Sequence, residues 1–187
     1  MPFTFTPAGL PGVVVIEAEI FGDRRGFFME TYRRSAFEAA GITVTFVQTN
    51  QSRSMQGTLR GLHAQRPPRA QGKLVRVLRG EIFDVAADVR PGSPTFGRWD
   101  GIILSSDNRR SVYIPPGYVH GFCVLSPDAD VVYQTTEEYA PELEFGVRWD
   151  DPRLGIRWPM TSPTLSERDR CWPLLGETGD PAGGPRL

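Results

Sequence analysis

Lys73-Leu74-Val75-Arg76-Val77-Leu78-Arg79-Gly80-Glu81-Ile82-Phe83-Asp84-Val85-Ala86-Ala87-Asp88-Val89 holds two apolar, β-branched runs hinged at Arg79-Gly80. Lys73 to Leu78 is apolar on both faces, which suits a strand covered on both sides. Glu81 to Val89 follows as a second strand-like piece after a turn at Arg79-Gly80.

The same reading extends in both directions. Gly12-Val13-Val14-Val15-Ile16, Val44 to Thr49 and Thr58 to Gln65 precede this pair as strand-like pieces. Ile102 to Leu104, Ser111 to Ile114, His120 to Leu125 and Asp130 to Thr136 follow it. Pro91-Gly92-Ser93-Pro94 and Pro115-Pro116-Gly117 mark turns between them. Arg34 to Ala40 is the one short helix, stopped by Gly41. So many strands predict an all-β sandwich, jelly roll or barrel. No repeat or linker divides the chain, so one domain is expected over residues 1–175. Residues 176–187 are rich in Gly and Pro and are expected to form a flexible C-terminal tail.

Composition narrows the function classes. A chain of 187 residues with 40% hydrophobic and 23% charged residues is ordinary for a soluble globular protein. Its net charge of -1 disfavours nucleic acid, whose binders carry a basic excess. A small anion needs only a local arginine cluster and stays possible. No apolar run is long enough to span a membrane, and Met1-Pro2-Phe3-Thr4 lacks the order of a signal peptide. Cys123 and Cys171 have the spacing of neither a zinc motif nor a disulfide framework. A cytoplasmic protein is expected.

Few residues can carry chemistry. The chain has two histidines, His63 and His120, so a three-histidine metal centre cannot be built. In Leu59-Arg60-Gly61-Leu62-His63-Ala64-Gln65, alternation puts Gly61, His63 and Gln65 on one face, a poor core stripe but a reasonable pocket lining. A hydrogen-bonded structural histidine is the rival reading. His120 shares a face with Phe122 and Val124 and could merely cap a core face. Tyr133 sits with Val131 and Thr135, as a packed tyrosine would. Lys73, the only lysine, could be a solvated strand end. Arg24-Arg25 and Arg60 could each be surface residues.

Taken in order, these segments resemble the dTDP-4-dehydrorhamnose 3,5-epimerase family. The matching residues are Phe21-Gly22-Asp23-Arg24-Arg25-Gly26-Phe27-Phe28-Met29-Glu30, Leu59-Arg60-Gly61-Leu62-His63 and Gln71-Gly72-Lys73-Leu74-Val75. Phe83-Asp84-Val85-Ala86 and Gly92-Ser93-Pro94-Thr95-Phe96-Gly97 continue the series. Ile114-Pro115-Pro116-Gly117-Tyr118-Val119-His120-Gly121-Phe122 and Trp149-Asp150-Asp151-Pro152 complete it. The resemblance implies a cupin-type β jelly roll (a double-stranded β-helix) with one or more short helices. It also implies a homodimer with exchanged strands, the substrate dTDP-4-dehydro-6-deoxyglucose, and no cofactor or metal.

The resemblance further implies roles. His63 would be the base, oriented by Asp169, whose carboxylate would raise the basicity of the histidine. Lys73 would stand beside the C4 oxygen, and Tyr133 would return a proton. Phe21, Arg25, Glu30, Gln48, Asn50, Arg60, His120, Tyr139, Glu144 and Arg168 would bind the ligand. Strict alternation puts Arg60 and His63 on opposite faces, so a bend or bulge at Gly61 is expected. The chain departs from the family pattern at Ala64, where an aromatic often stands, and at Arg168, where lysine is usual. Three other readings remain: a mono-epimerase inverting one carbon, a non-catalytic nucleotide-sugar binding module, and a metal-dependent cupin enzyme.

Overall fold

The computed structural model describes residues 2–176; the tail expected over 176–187 therefore lies, from residue 177 on, outside the described residues. In chain order the strands are β1 (Phe3–Pro7), β2 (Val14–Ala18), β3 (Ile20–Asp23), β4 (Gly26–Met29), β5 (Gln48–Met55), β6 (Leu59–Gln65) and β7 (Lys73–Arg79). They continue as β8 (Glu81–Asp88), β9 (Trp99–Ser105), β10 (Ser111–Ile114), β11 (Tyr118–Val124), β12 (Asp128–Thr135) and β13 (Glu144–Gly146). Among the described residues two short α-helices, α1 (Arg34–Ala39) and α2 (Glu167–Arg170), and a 3-10 turn at Pro141–Leu143 complete the set, α2 being one more than the single helix expected. No helix among the described residues is long and apolar enough to cross a membrane.

The strands form a cupin-type jelly roll of two antiparallel sheets. One runs β1-β2-β10-β7-β12-β5 and the other β13-β6-β11-β8-β9. Alternation divides each central strand between two environments. On β8, Ile82 and Ala86 face the space between the sheets, where they meet Val75, Val77, Leu104, Val112, Ile114, Val124 and Val131. Val85 and Ala87 face the other way, into a second cluster with Leu62, Val119, Leu154 and Leu175. Burying each such Val, Leu or Ile side chain stabilises by about 1.5–3 kcal/mol. β7 and β8, joined at Arg79-Gly80, do not pair with each other but lie in opposite sheets; β8 is covered on both faces, and β7 turns Val75 and Val77 inward and Leu74 toward Phe37, as the composition of each predicts.

Helix α1 seals the outside of the larger sheet. Its buried Phe37 meets Phe3 and Phe5 edge-on, with ring centroids 5.5 and 5.3 Å away. Gly41, at φ +87°, ends the helix as expected.

β1 and β13 form where no strand is expected, and two further differences bear on the site. Val44 to Thr49 does not form one strand: Val44 and Phe46 pack beside Phe37, and pairing begins only at Gln48. From there β5 pairs with β12 over eight residues, Gln48↔Thr135 to Met55↔Asp128. Its polar sequence hides it from a hydrophobicity reading. The second difference is the hairpin β3–β4, which forms its own two-stranded sheet among the described residues. Asp23 closes its turn by accepting from the backbone N–H of Arg25 at 2.8 Å and from its guanidinium.

Candidate active site

The polar interior positions converge on one cavity of about 650 Å³. Strand β5 contributes Gln48, Asn50 and Ser52, β6 contributes Arg60 and His63, and β7 contributes Lys73. His120 and Phe122 come from β11, Tyr133 from β12, and Glu144 from β13. Tyr139 and the α2 segment, Ser166 to Asp169, close the wall. Lys73 and Tyr133 sit on paired strands, with Thr135 opposite Lys73 and Val75 opposite Tyr133. His63 lies on the facing sheet, directly paired with His120.

The expected irregularity at Gly61 is present. Between the pairs His63↔His120 and Arg60↔Phe122, strand β6 carries two residues where β11 carries one. This bulge turns Arg60 and His63 to the same side. Gly61 has φ +117°, and a Cβ there would lie 2.6 Å from the Cα of Gly121 and the carbonyl oxygen of His120. Only glycine fits.

The α2 segment is fixed from two sides. Thr164 accepts from the Leu59 backbone N–H at 3.0 Å and donates its own to Gly57 at 2.8 Å. On the other side, the buried Asp151 accepts from the backbone N–H groups of Arg153, Leu154 and, beyond α2, Leu175, at 2.8, 3.1 and 2.5 Å. This gives the Trp149-Asp150-Asp151-Pro152 motif a physical role: it anchors the chain end that carries Arg168 and Asp169. Ser166 caps α2 by accepting from the Asp169 N–H at 3.0 Å.

Within the cavity the charges are unevenly placed. The Glu144 carboxylate accepts from Arg168 at 2.7 Å and from the Tyr139 hydroxyl at 3.1 Å. Arg60 donates to Ser54 at 2.9 Å. Lys73 is buried, with Nζ 3.4 Å from the His63 carbonyl oxygen. Burial pushes its pKa down to about 8, with Asp84 and Glu144 opposing the shift. His120 shares a 2.8 Å hydrogen bond with the buried Asp84.

His63 departs from its expectation. Asp169 lines the same cavity, yet the hydrogen bond expected between them is not made. Asp169 Oδ1 instead accepts from the Trp172 indole at 3.4 Å, and His63 Nδ1 has no hydrogen-bond partner among the described residues. Nor is the basicity of His63 raised. Burial first, then the nearby charges of Lys73, His120, Arg168 and Arg60, hold its pKa well below 6.5. A desolvated imidazole among cations stays neutral, which is the form a base requires. Tyr133 moves oppositely: burial pushes its pKa up, so the phenol keeps its proton.

Eleven of the residues singled out from sequence line this cavity: His63, Lys73, Tyr133, Asp169, Gln48, Asn50, Arg60, His120, Tyr139, Glu144 and Arg168. Phe21, Arg25 and Glu30 do not. The first two lie on the self-paired β3–β4 hairpin and border a separate hollow of about 310 Å³, while Glu30 pairs with Arg33 at 3.6 Å. Sequence reasoning missed Asp84 as part of the site. An acid at an inward position between Ile82 and Ala86 is the signal that marks it, because a lone buried carboxylate needs a partner.

A jelly roll whose interior gathers a buried histidine, a buried lysine and a tyrosine beside two arginines has the donor and acceptor groups that proton transfer on an anionic ligand requires. Comparison makes the class specific. The chain belongs to the dTDP-4-dehydrorhamnose 3,5-epimerase family, whose model matches residues 7–177, and so to the isomerases. It is 50% identical over 178 residues to the dTDP-4-dehydrorhamnose 3,5-epimerase of Methanothermobacter thermautotrophicus, covering 94% of this chain and 96% of that one. A crystal structure of a dTDP-6-deoxy-D-glucose-3,5-epimerase from Legionella pneumophila, in complex with dTDP-4-keto-L-rhamnose, superposes with a TM-score of 0.91. It has 48% identity and covers 94% of both chains. A dTDP-4-dehydrorhamnose 3-epimerase from Streptomyces niveus is 42% identical over 175 residues, covering 93% of this chain and 84% of that one.

Proposed function

We propose that this chain inverts C3 and C5 of dTDP-4-dehydro-6-deoxy-D-glucose, giving dTDP-4-dehydro-L-rhamnose. The observation that carries the reading is the meeting of His63, Lys73 and Tyr133 in one cavity with Arg60 and Arg168. A C–H beside a ketone is removable only if the enolate is stabilised as it forms. His63 takes the proton from the carbon, and the electron pair moves toward the C4 oxygen. Lys73 supplies positive charge there, an effect worth roughly 3 kcal/mol for one well-placed donor. Tyr133 then delivers a proton to the opposite face, which inverts the centre. Asp169 serves to orient His63 when the ligand is in place.

Arg60, Arg168, Gln48 and Asn50 hold the nucleotide diphosphate, and Tyr139 stacks on the base, with His120 and Glu144 as further contacts. Bidentate arginine–phosphate pairs suit this task in a chain of net charge -1. The negative charge of the ligand also opposes the cations that hold His63 down, so binding raises the basicity of the base at the moment it acts.

The reading includes a homodimer in which the β3–β4 hairpin of one chain closes the cavity of its partner. Phe21, Phe27 and Phe28 are 52%, 57% and 66% exposed on a hairpin with no other strand partner among the described residues, a costly arrangement in an isolated chain. Exchange would bring Phe21, Arg25 and Glu30 to the ligand. Two free cysteines, Cys123 and Cys171, suit a reducing cytoplasmic setting.

The test is NMR of the protein with dTDP-4-dehydro-6-deoxyglucose in deuterated water. Exchange at both C3 and C5, with an L-configured product, is expected. Exchange at one carbon would move the chain to the mono-epimerases, and none at either would leave a binding module.

A further inference from the structure

Among the described residues Arg109 is the only non-glycine residue with a positive φ, +54°. Such a conformation is uncommon for a long side chain and persists where neighbours over-determine it. Here the turn between β9 and β10 does so. Asn108 Oδ1 accepts from the N–H groups of Ser105 and Arg110 at 3.0 and 3.1 Å, and its Nδ2 donates to the Ile103 carbonyl at 2.9 Å. The Asn108 N–H returns a bond to the Ser105 hydroxyl at 3.0 Å, and the Arg109 N–H donates to the Ser105 carbonyl at 2.9 Å. Arg110 ties the turn to β2 through Glu17 at 2.8 Å.

The side chain held in this way points at the hairpin. The Arg109 guanidinium lies 4.3 Å from the ring centroid of Phe27, on β4. Its Nε is buried with no hydrogen-bond partner among the described residues. A buried donor left unpaired is unfavourable unless the placement of the guanidinium matters more. Phe27 pairs with Gly22 across the hairpin, one residue from Phe21 and two from Arg25.

We infer that Arg109 is a positioning residue that sets the pose of the β3–β4 hairpin and, through it, the delivery of Phe21 and Arg25 to the nucleotide. The inference rests on the exchanged-hairpin reading above. A cation on a ring face fixes a direction as well as a distance, so it holds a two-stranded ribbon that lacks sheet neighbours among the described residues.

Arg109→Gly removes the guanidinium and keeps a backbone that favours positive φ. The expected result is a rise in KM for the nucleotide sugar of about three- to tenfold, with kcat nearly unchanged and no loss of thermal stability. Arg109→Lys, which restores a cation over the ring, brings KM back. A wild-type KM in Arg109→Gly overturns the inference, as does a KM rise that tracks a fall in Tm and ignores the lysine variant. Mixed dimers separate the inference from the reading beneath it. Co-expressed His63→Ala and Arg25→Ala chains should recover about a quarter of wild-type turnover if the hairpin acts in its partner's site. No recovery overturns the exchanged hairpin and the role of Arg109 with it. Recovery alongside a wild-type KM in Arg109→Gly overturns the role of Arg109 alone.

Discussion

Two regions of the same jelly roll, a few residues apart along the same strands, obey opposite rules. Around Val75, Val77, Ile82, Leu104 and Val131 the interior is apolar and closed. Around Lys73, Asp84, His120 and Tyr133 it is polar, hydrogen-bonded in part, and open to a ligand. Strands β7, β8 and β12 serve both regions through inward positions two residues apart. The apolar region stabilises the fold by removing surface from water. The polar region takes stability back, since each desolvated charge there is unfavourable until a ligand answers it. Stability is concentrated in one region so that reactivity can be concentrated in the other.

Substitutions should separate the two regions. The largest effect is expected for His63→Asn, which should lower kcat/KM and proton exchange at C3 and C5 by about 10²–10⁴-fold while leaving the melting temperature near wild type. A comparable loss of stability would mean that His63 belongs to the scaffold.

Lys73→Met comes next and joins both regions in one residue. Loss of the cation should cost roughly 3 kcal/mol of transition-state stabilisation, about 10²-fold in kcat/KM. Stability should move the other way. With its pKa lowered from 10.5 to about 8, native Lys73 holds fewer protons than the unfolded chain between those values. Stability from this group therefore rises with pH across that window and is least below about 8. At pH 7 the methionine variant should unfold at higher denaturant by about 3 kcal/mol, and the slope across the alkaline window should vanish. For the wild-type enzyme the same shift puts the alkaline limb of kcat/KM near about 8. The depressed pKa of His63 puts the acid limb below 6.5. An acid limb above 6.5 would show that a carboxylate, not burial, governs the base.

The smallest effect is expected on the apolar side. Ile82→Val should lower stability by about 0.5–1.5 kcal/mol in a denaturant titration and leave kcat and KM unchanged. Altered kinetics in this variant would mean that the apolar core and the cavity are mechanically coupled.

How far the sequence could be read follows the same division. The apolar strands β7, β8 and β10 stand almost where their composition predicts, because burial on both faces leaves a dense hydrophobic record. Strand β5 is hidden in the sequence because its inward residues, Gln48, Asn50 and Ser52, line a cavity and break the apolar pattern. The bulge at Gly61 was legible from a contradiction, since Arg60 and His63 could share a ligand only if alternation failed between them. The site residues came from the resemblance, not from spacing. What spacing could not convey is electrostatic sum: whether Asp169 or the lysine and arginines around the cavity would dominate His63 depends on distances across both sheets. Nor could it reveal that Phe21 and Arg25 ride on a hairpin turned away from their own cavity.

Because Lys73 is the only lysine in the chain and lies inside the cavity, amine-directed labelling has a single side-chain address. A pKa near about 8 keeps an appreciable fraction of that amine uncharged and reactive under mild conditions. Isotope-enriched methyl groups attached there by reductive alkylation would give a single side-chain NMR signal beside that of the α-amine, reporting occupancy of the site without a substitution. The arginine-rich exterior would stay silent, and the chemistry that makes the residue useful to catalysis would make it a reporter.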